Sequence, residues 1–489
     1  MTSGTAEAQS RPETQPPPKQ KTSLVTKIAY GFGAAAYGVK DNGFSYFLLI
    51  FYSQVIGLDA RLVGLAAMIA LIVDALSDPI VGYVSDNFRS KWGRRHPFMY
   101  AAALPVSISY FFLWNPPDGW EGQKLFFYLL FLAITIRTFI TMYETPSSAM
   151  GAELTDDYDE RSSLLSFRFF FAWVGGNFMS TLNFFVLFPV FATAAITNGQ
   201  FNKDAYQVYG LISALLIFTA IMISSLGTHH RIPTLRAAPP KQKTSLTRIF
   251  KEIFQTLSER SFLALFFAAM FGAVATGMTS ALAYYFTTYF WGFSSQQTGF
   301  IVLGVFISAV IGSMLAPIIT RKWGKKRGAL VIGAAAFIGS PLPIVLRLIG
   351  VMPENGDPAT FWIYFFANLV DTSLIICFQI LVSSMIADLV EQTERKTSRR
   401  SEGVLFSAAT FIRKSVQGIG LMGASGVLYL AHIEAGSSPE DVSPESVYRL
   451  GLVYVPIVLS IWCAMMSCIA FYKLNRDSHE ENLRALNDT

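Results

Sequence analysis

Ala66-Ala67-Met68-Ile69-Ala70-Leu71-Ile72-Val73-Asp74-Ala75-Leu76-Ser77-Asp78-Pro79-Ile80-Val81-Gly82-Tyr83-Val84 is an apolar run long enough to cross a membrane, with two carboxylates set into it. Read as a helix, the four-residue spacing puts Asp74 and Asp78 on one face. A charge near the bilayer centre costs about 2.5–3.5 kcal/mol even on insertion scales. Two like charges this close also repel, unless a cation stands between them. The pair predicts a site for a metal cation or a proton, with partners on other helices.

Similar apolar runs recur along all 489 residues, of which 52% are hydrophobic and 15% charged, and the mean hydropathy is +0.42. Soluble domains carry about a quarter of charged residues. The composition therefore predicts an all-α, multi-pass membrane protein with the lipid bilayer as its surroundings. Twelve spans are expected, near 28–54, 61–87, 97–115, 123–153, 162–192, 206–228, 260–291, 297–320, 328–348, 359–389, 402–433 and 447–473. Basic residues crowd alternate connections: Arg89 to Arg95, Arg231 to Lys251, Arg321 to Arg327 and Arg395 to Arg400. By the positive-inside bias, both termini face the cytoplasm of a plasma (inner) membrane protein. The expected organisation is a disordered tail over 1–25, a six-helix bundle over 26–230 and a linker over 231–258. A second six-helix bundle follows over 259–474, then a tail over 475–489. The first residues, rich in Pro, Gln, Ser and Thr, lack the apolar core of a signal peptide.

The net charge of +5 is accounted for by loop bias and predicts no nucleic-acid partner. Cys377, Cys463 and Cys468 fall in apolar runs and read as packing residues. No phosphate-cradling loop or zinc spacing is present, and His229 and His230 are expected in a loop without ligand partners. Enzyme chemistry and a resident cofactor are not expected.

The two halves echo each other. Asp78-Pro79-Ile80-Val81 with Lys91-Trp92-Gly93-Arg94-Arg95 parallels Ala316-Pro317-Ile318-Ile319 with Lys322-Trp323-Gly324-Lys325-Lys326. Ala152-Glu153-Leu154 parallels Ala387-Asp388-Leu389. Parallel duplication leaves such repeats. Asp74 and Asp78 have no acidic counterpart in the second half, which assigns the cation chemistry to the first.

Other charges lie inside spans: Lys40, Asp41, Glu144, Arg168, Asp371 and Lys414. Lys414 falls about twelve residues into its helix, roughly 18 Å along the axis, too deep to snorkel, so it meets an internal carboxylate or a wet cavity. Arg168 either reaches the headgroups or serves a site. Lys40 either snorkels or pairs with Asp41, and Asp371 reads as a hydrogen-bonding packing residue. Tyr37, Tyr143 and Phe378 are the aromatics placed to face a cavity. The run Asp156 to Arg161, and Asp86 with Arg94 and Arg95, read as capping or gating elements.

Together, Tyr30-Gly31-Phe32-Gly33, Lys40-Asp41, Asp74-Ala75-Leu76-Ser77-Asp78-Pro79, Trp92-Gly93-Arg94-Arg95, Glu153-Leu154-Thr155, Arg161 and Glu402-Gly403 resemble the glycoside–pentoside–hexuronide:cation symporters of the major facilitator superfamily. The resemblance covers nearly the whole chain except its tails. It implies two six-helix bundles around a central cavity and alternating access. Asp74 and Asp78 match the family's paired cation-binding acids, which would ligate Na+ in a sodium-coupled protein, with Thr141 and Ser77 beside them. Asp41, Glu144 and Arg168 match substrate-binding positions, and Lys414 a lysine near the cation site. Lys40, Lys414, Ser148 and Gln379 join the expected substrate set, while Asp86, Arg94, Arg95, Glu153, Arg161 and Glu402 form the expected gate. Ser77 stands where melibiose permease, a member of the family, has asparagine. Ser148 and Gln379 stand where it has tryptophans against the sugar.

The expected function is Na+- or H+-coupled symport of a sugar- or glycoside-like solute by a monomer. A cation-coupled carrier of lysophospholipid or another amphiphile is the alternative. Proton-coupled efflux and a membrane sensor are further readings.

Overall fold

The computed structural model describes residues 22–151, 153–155, 157–235, 260–397 and 402–471, and every regular element among them is helical. Local chemistry starts the helices where the sequence allows. The Ser23 hydroxyl accepts from the Thr26 N–H to open α1 (Leu24–Phe32). The Asp59 carboxylate accepts from the Arg61 N–H to open α4 (Ala60–Asn87), the helix that carries Asp74 and Asp78. Such caps satisfy amides that the first turn leaves unpaired.

The first apolar run is not one uniform helix. After α1 the chain continues through α2 (Ala34–Asn42), a π-helical turn at Gly43–Phe47, α3 (Leu48–Ile50) and a second π turn at Phe51–Val55. Then follow α4, α5 (His96–Leu113), α6 (Gly122–Met150) and α7 (Tyr158–Leu182). A π turn at Asn183–Leu187, the short α8 (Phe188–Val190) and α9 (Lys203–His229) complete this part. The second part holds α10 (Arg260–Tyr285), a π turn at Phe286–Phe290, α11 (Ser295–Gly339), α12 (Leu342–Leu348), α13 (Pro358–Thr397), α14 (Glu402–Leu430) and α15 (Pro444–Ala470). Eight stretches among the described residues are long and apolar enough to cross a membrane.

α11 has 45 residues, about 68 Å at 1.5 Å per residue, or twice a bilayer core of about 30 Å. It breaks at Gly324, whose φ of 74° only glycine adopts without strain. A Cβ placed on Gly328 would lie 2.6 Å from the Ile319 side chain, so the chain folds back at the break. Gly93, in the matching segment of the first half, has φ 73°. The repeated Lys-Trp-Gly motif thus makes the same left-handed turn twice.

Small residues let helices approach. α2 packs on α7, and a Cβ on Gly38 would lie 1.9 Å from the Ala172 carbonyl oxygen, a close crossing of the kind membrane helices use. α4 packs between α6 of its own half and α14 of the other. At the far end of α4 from the Gly93 turn, the halves are stitched together. The Tyr285 hydroxyl donates to the Gln54 side-chain oxygen at 3.3 Å, and Gly436 N–H to the Ser53 carbonyl at 2.8 Å. Tyr289 donates to the Ser437 carbonyl at 2.7 Å, and Thr197 to Glu440 at 3.1 Å.

Candidate functional site

α6 is the spine of the site. Helical periodicity brings Arg137, Thr141, Glu144 and Ser147 to one side of it, facing α4 above and α7 below. Asp74 is 2% exposed and Asp78 is a quarter exposed at the side chain. The Thr141 hydroxyl stands 2.8 Å from Asp74 Oδ1 and 3.0 Å from Asp78 Oδ1, so its single proton serves the two carboxylates in turn. Lys414 Nζ donates to Asp78 Oδ2 at 2.6 Å and lies 3.1 Å from Asp74 Oδ2. Arg137 Nη1 donates to Asp74 Oδ2 at 3.2 Å, with its guanidinium 4.7 Å over the Phe44 ring. Two acids therefore face two tethered cations, which answers the charge problem posed by α4 alone.

A second cluster lies two turns along α6. Arg168 pairs with the Glu144 carboxylate, donates to Ser147 Oγ at 3.1 Å and lies 3.5 Å from both the Tyr30 hydroxyl and the Glu144 carbonyl. Arg168 is thus buried in the protein and does not reach for headgroups. Glu144 Oε2 is buried without a hydrogen-bond partner, an acceptor aimed at the interior. Lys40 is buried, 3.5 Å from Asp41 Oδ1 and 4.4 Å from the Tyr37 ring centre, so the local pairing holds. The Asp41 side chain is 44% exposed.

Several expected residues stand elsewhere. Ser77 Oγ donates to the Asp74 carbonyl at 2.9 Å, so its hydroxyl is spent on its own helix and does not join the acid pair. Lys414, expected among substrate contacts as well as near the cation site, stands on the acid pair. Ser148 and Gln379 are exposed and stand apart from the hydrogen bonds of both clusters. Tyr143 and Phe378 are buried in the packing, Phe378 against Trp462. Asp371 is buried; its carboxylate meets the Ser340 side chain, while Oδ1 is unpartnered.

Four of the residues expected at a gate meet within the first half. Glu153 pairs with Arg94 and, at 3.0 Å, with Arg95, and Asp86 lies 3.4 Å from Arg95 and 3.8 Å from Arg94. Arg161 is exposed. The Glu402 side chain, Asp156 and the basic residues 236–259 lie outside the described residues. Glu160 is buried: its carboxylate accepts from the Thr22 N–H at 2.8 Å and pairs with Lys27 at 3.3 Å. The Thr22 amide, first among these contacts, holds the Glu160 carboxyl below the usual range. His229 closes α9, with Nδ1 3.0 Å from the Tyr100 hydroxyl and its ring 5.7 Å from that of His96, so it ends a helix and does not lie in a loop.

Arg137 is the residue that sequence reasoning passed over. The available signal was a lone arginine in an apolar helix, one turn before Thr141.

A family model described as MFS/sugar transport protein matches residues 29–476. The sodium-dependent lysophosphatidylcholine symporter 1 of Gallus gallus is 23% identical over 96% of this chain and 90% of its own length. The isoprimeverose transporter of Lactiplantibacillus pentosus is 23% identical over 96% of this chain and 93% of its own. Among solved structures, the nucleoside transporter NupG superposes with a TM-score of 0.61 at 13% identity, covering 91% of this chain and 99% of that one. That likeness concerns the fold alone.

Proposed function

This chain belongs to the sugar transport family of glycoside–pentoside–hexuronide:cation symporters within the major facilitator superfamily, and from that premise we propose that it couples a cation to the uptake of a sugar- or glycoside-like solute. In this reading twelve helices form two six-helix bundles in the plasma membrane, with both termini cytoplasmic. The stitched end, opposite the basic turns at Gly93 and Gly324, is the outer one, and the conformation described faces inward.

The observation that carries the reading is the chain of charges along α6. Asp74, Asp78 and Thr141 form the cation end, with Lys414 reaching in from the other half. Asp41, Glu144 and Arg168 form the solute end, where carboxylates accept from hydroxyls and the guanidinium donates. One helix supplies residues to both ends, so a cation that displaces Lys414 alters the site a solute meets. Coupling is then the difference in affinity between the two conformations.

Active uptake into proteoliposomes, driven in turn by a Na+ and a proton gradient, tests the assignment. Asp78→Asn is expected to abolish accumulation while leaving counterflow measurable. Accumulation by Asp78→Asn at the wild-type level sinks the assignment.

Exposed Ser148 and Gln379 favour one second reading. With no aromatic wall at these positions, a larger amphiphile such as a lysophospholipid fits the same charged clusters, in line with the name of the Gallus relative. Thermal stabilisation by lysophospholipid but by no sugar, in screens of purified protein, selects it.

A further inference from the structure

Na+ needs a shell of oxygens that are free to turn toward it, and the Asp74–Asp78 pair does not offer one. Each of the four carboxylate oxygens already faces a tethered donor: Thr141 at Asp74 Oδ1 and Asp78 Oδ1, Lys414 at Asp78 Oδ2, and both Arg137 and Lys414 at Asp74 Oδ2. The two positive groups differ in origin. Lys414 belongs to α14, in the opposite half, and withdraws when the halves move apart. Arg137 belongs to α6, which packs on α4 within one half, so it travels with Asp74. It is 4% exposed, held over the Phe44 ring.

We propose that Arg137 is a resident cation that keeps Na+ off the Asp74–Asp78 pair, so that transport by this protein does not depend on Na+. The inference rests on the reading of that pair as the coupling site. After Lys414 leaves, the two acids still face a guanidinium, and the net charge awaiting a cation is one unit instead of two. Na+ bound between the carboxylates would meet that guanidinium across a contact distance, in surroundings that screen charge poorly. A proton needs a single oxygen and no shell.

The test is Na+ binding itself, read as thermal unfolding of the purified protein in NaCl against choline chloride at equal ionic strength. The wild-type protein is expected to show no Na+-specific shift. Arg137→Gln and Arg137→Gly are expected to raise the apparent Na+ affinity at least about tenfold, and adding Asp74→Asn to either is expected to remove the gain. A folded Arg137→Gln protein that remains silent to Na+ overturns the proposal. So does a saturable Na+ shift in the wild type that Asp74→Asn abolishes, a result that needs no Arg137 variant to fold and leaves the symport assignment standing. A wild-type Na+ shift indifferent to both Asp74→Asn and Asp78→Asn overturns the proposal and the assignment of the coupling site together.

Discussion

A hydroxyl between two carboxylates has more acceptors than protons, and Thr141 is in that position between Asp74 and Asp78. Thr141→Val keeps the shape and deletes the donor, leaving two carboxylate oxygens short of a partner. Removing one side of a buried hydrogen bond costs about 1–3 kcal/mol, so Thr141→Val is expected to unfold at lower temperature and to transport poorly, while Thr141→Ser retains both. Equal melting curves and uptake for the Val variant and the wild type would show that the bridge contributes nothing. Arg168 makes a different demand, since it spans Tyr30, Ser147 and Glu144 at once. Lysine carries the same charge as a point, without the fork. Arg168→Lys is accordingly expected to lose about tenfold or more in uptake, as measured by initial rates at low solute concentration. The acid pair and Lys414 were legible in the sequence because depth in an apolar helix makes a charge conspicuous. Arg137 is as deep, midway along α6, but its partner is legible only once its register with Thr141 is noticed. The direction of Ser77 was not legible at all, since a helical serine bonds its own carbonyls as readily as a site.

Helix contacts depend on what fits between backbones. Gly38→Ala would push a methyl group into the Ala172 carbonyl and force α2 from α7, an overpacking cost of about 1–3 kcal/mol. Gly426 lies in α14 with nothing within 4 Å of a Cβ placed on it, so Gly426→Ala is the matched control and is expected to be neutral or slightly stabilising. The ordering of the two variants in a thermal shift assay checks the crossing. At the mouth of the first half, Glu160 ties the start of α1 to the start of α7 through Thr22 and Lys27. Because its folded-state carboxyl is held below the unfolded value of about 4.3, its stabilising effect is full at neutral pH and is lost as pH falls through the lowered folded value. Glu160→Gln is expected to lower stability at neutral pH and to narrow its distance from the wild type below about pH 4. Helix positions followed from apolar runs, and the repeated Lys-Trp-Gly motif falls at the turns of Gly93 and Gly324. The π turns at 43–47, 51–55, 183–187 and 286–290 were invisible, because one extra residue per turn leaves the apolar pattern nearly unchanged.

Across the whole molecule, the two halves make their stitched contacts at one end, and the charged clusters lie between that end and the basic turns. A protein that works by rocking its halves must break the stitching in every cycle, at small cost, so exchangeable hydrogen bonds suit it better than apolar packing. Thr197 and Glu440, both exposed and 3.1 Å apart at their oxygens, come from opposite halves. Paired as Thr197→Cys and Glu440→Cys in a background without the exposed Cys463, they can be joined by a short thiol-specific cross-linker. The expected result is a near-complete loss of net uptake on cross-linking, with recovery after reduction of a cleavable linker, while each single cysteine variant transports with or without reagent. Solute binding from the opposite face should survive the cross-link, since the clusters along α6 are untouched by it. Undiminished uptake by the cross-linked protein would mean that this end stays closed throughout transport, and a rocking cycle would have to be abandoned for this chain.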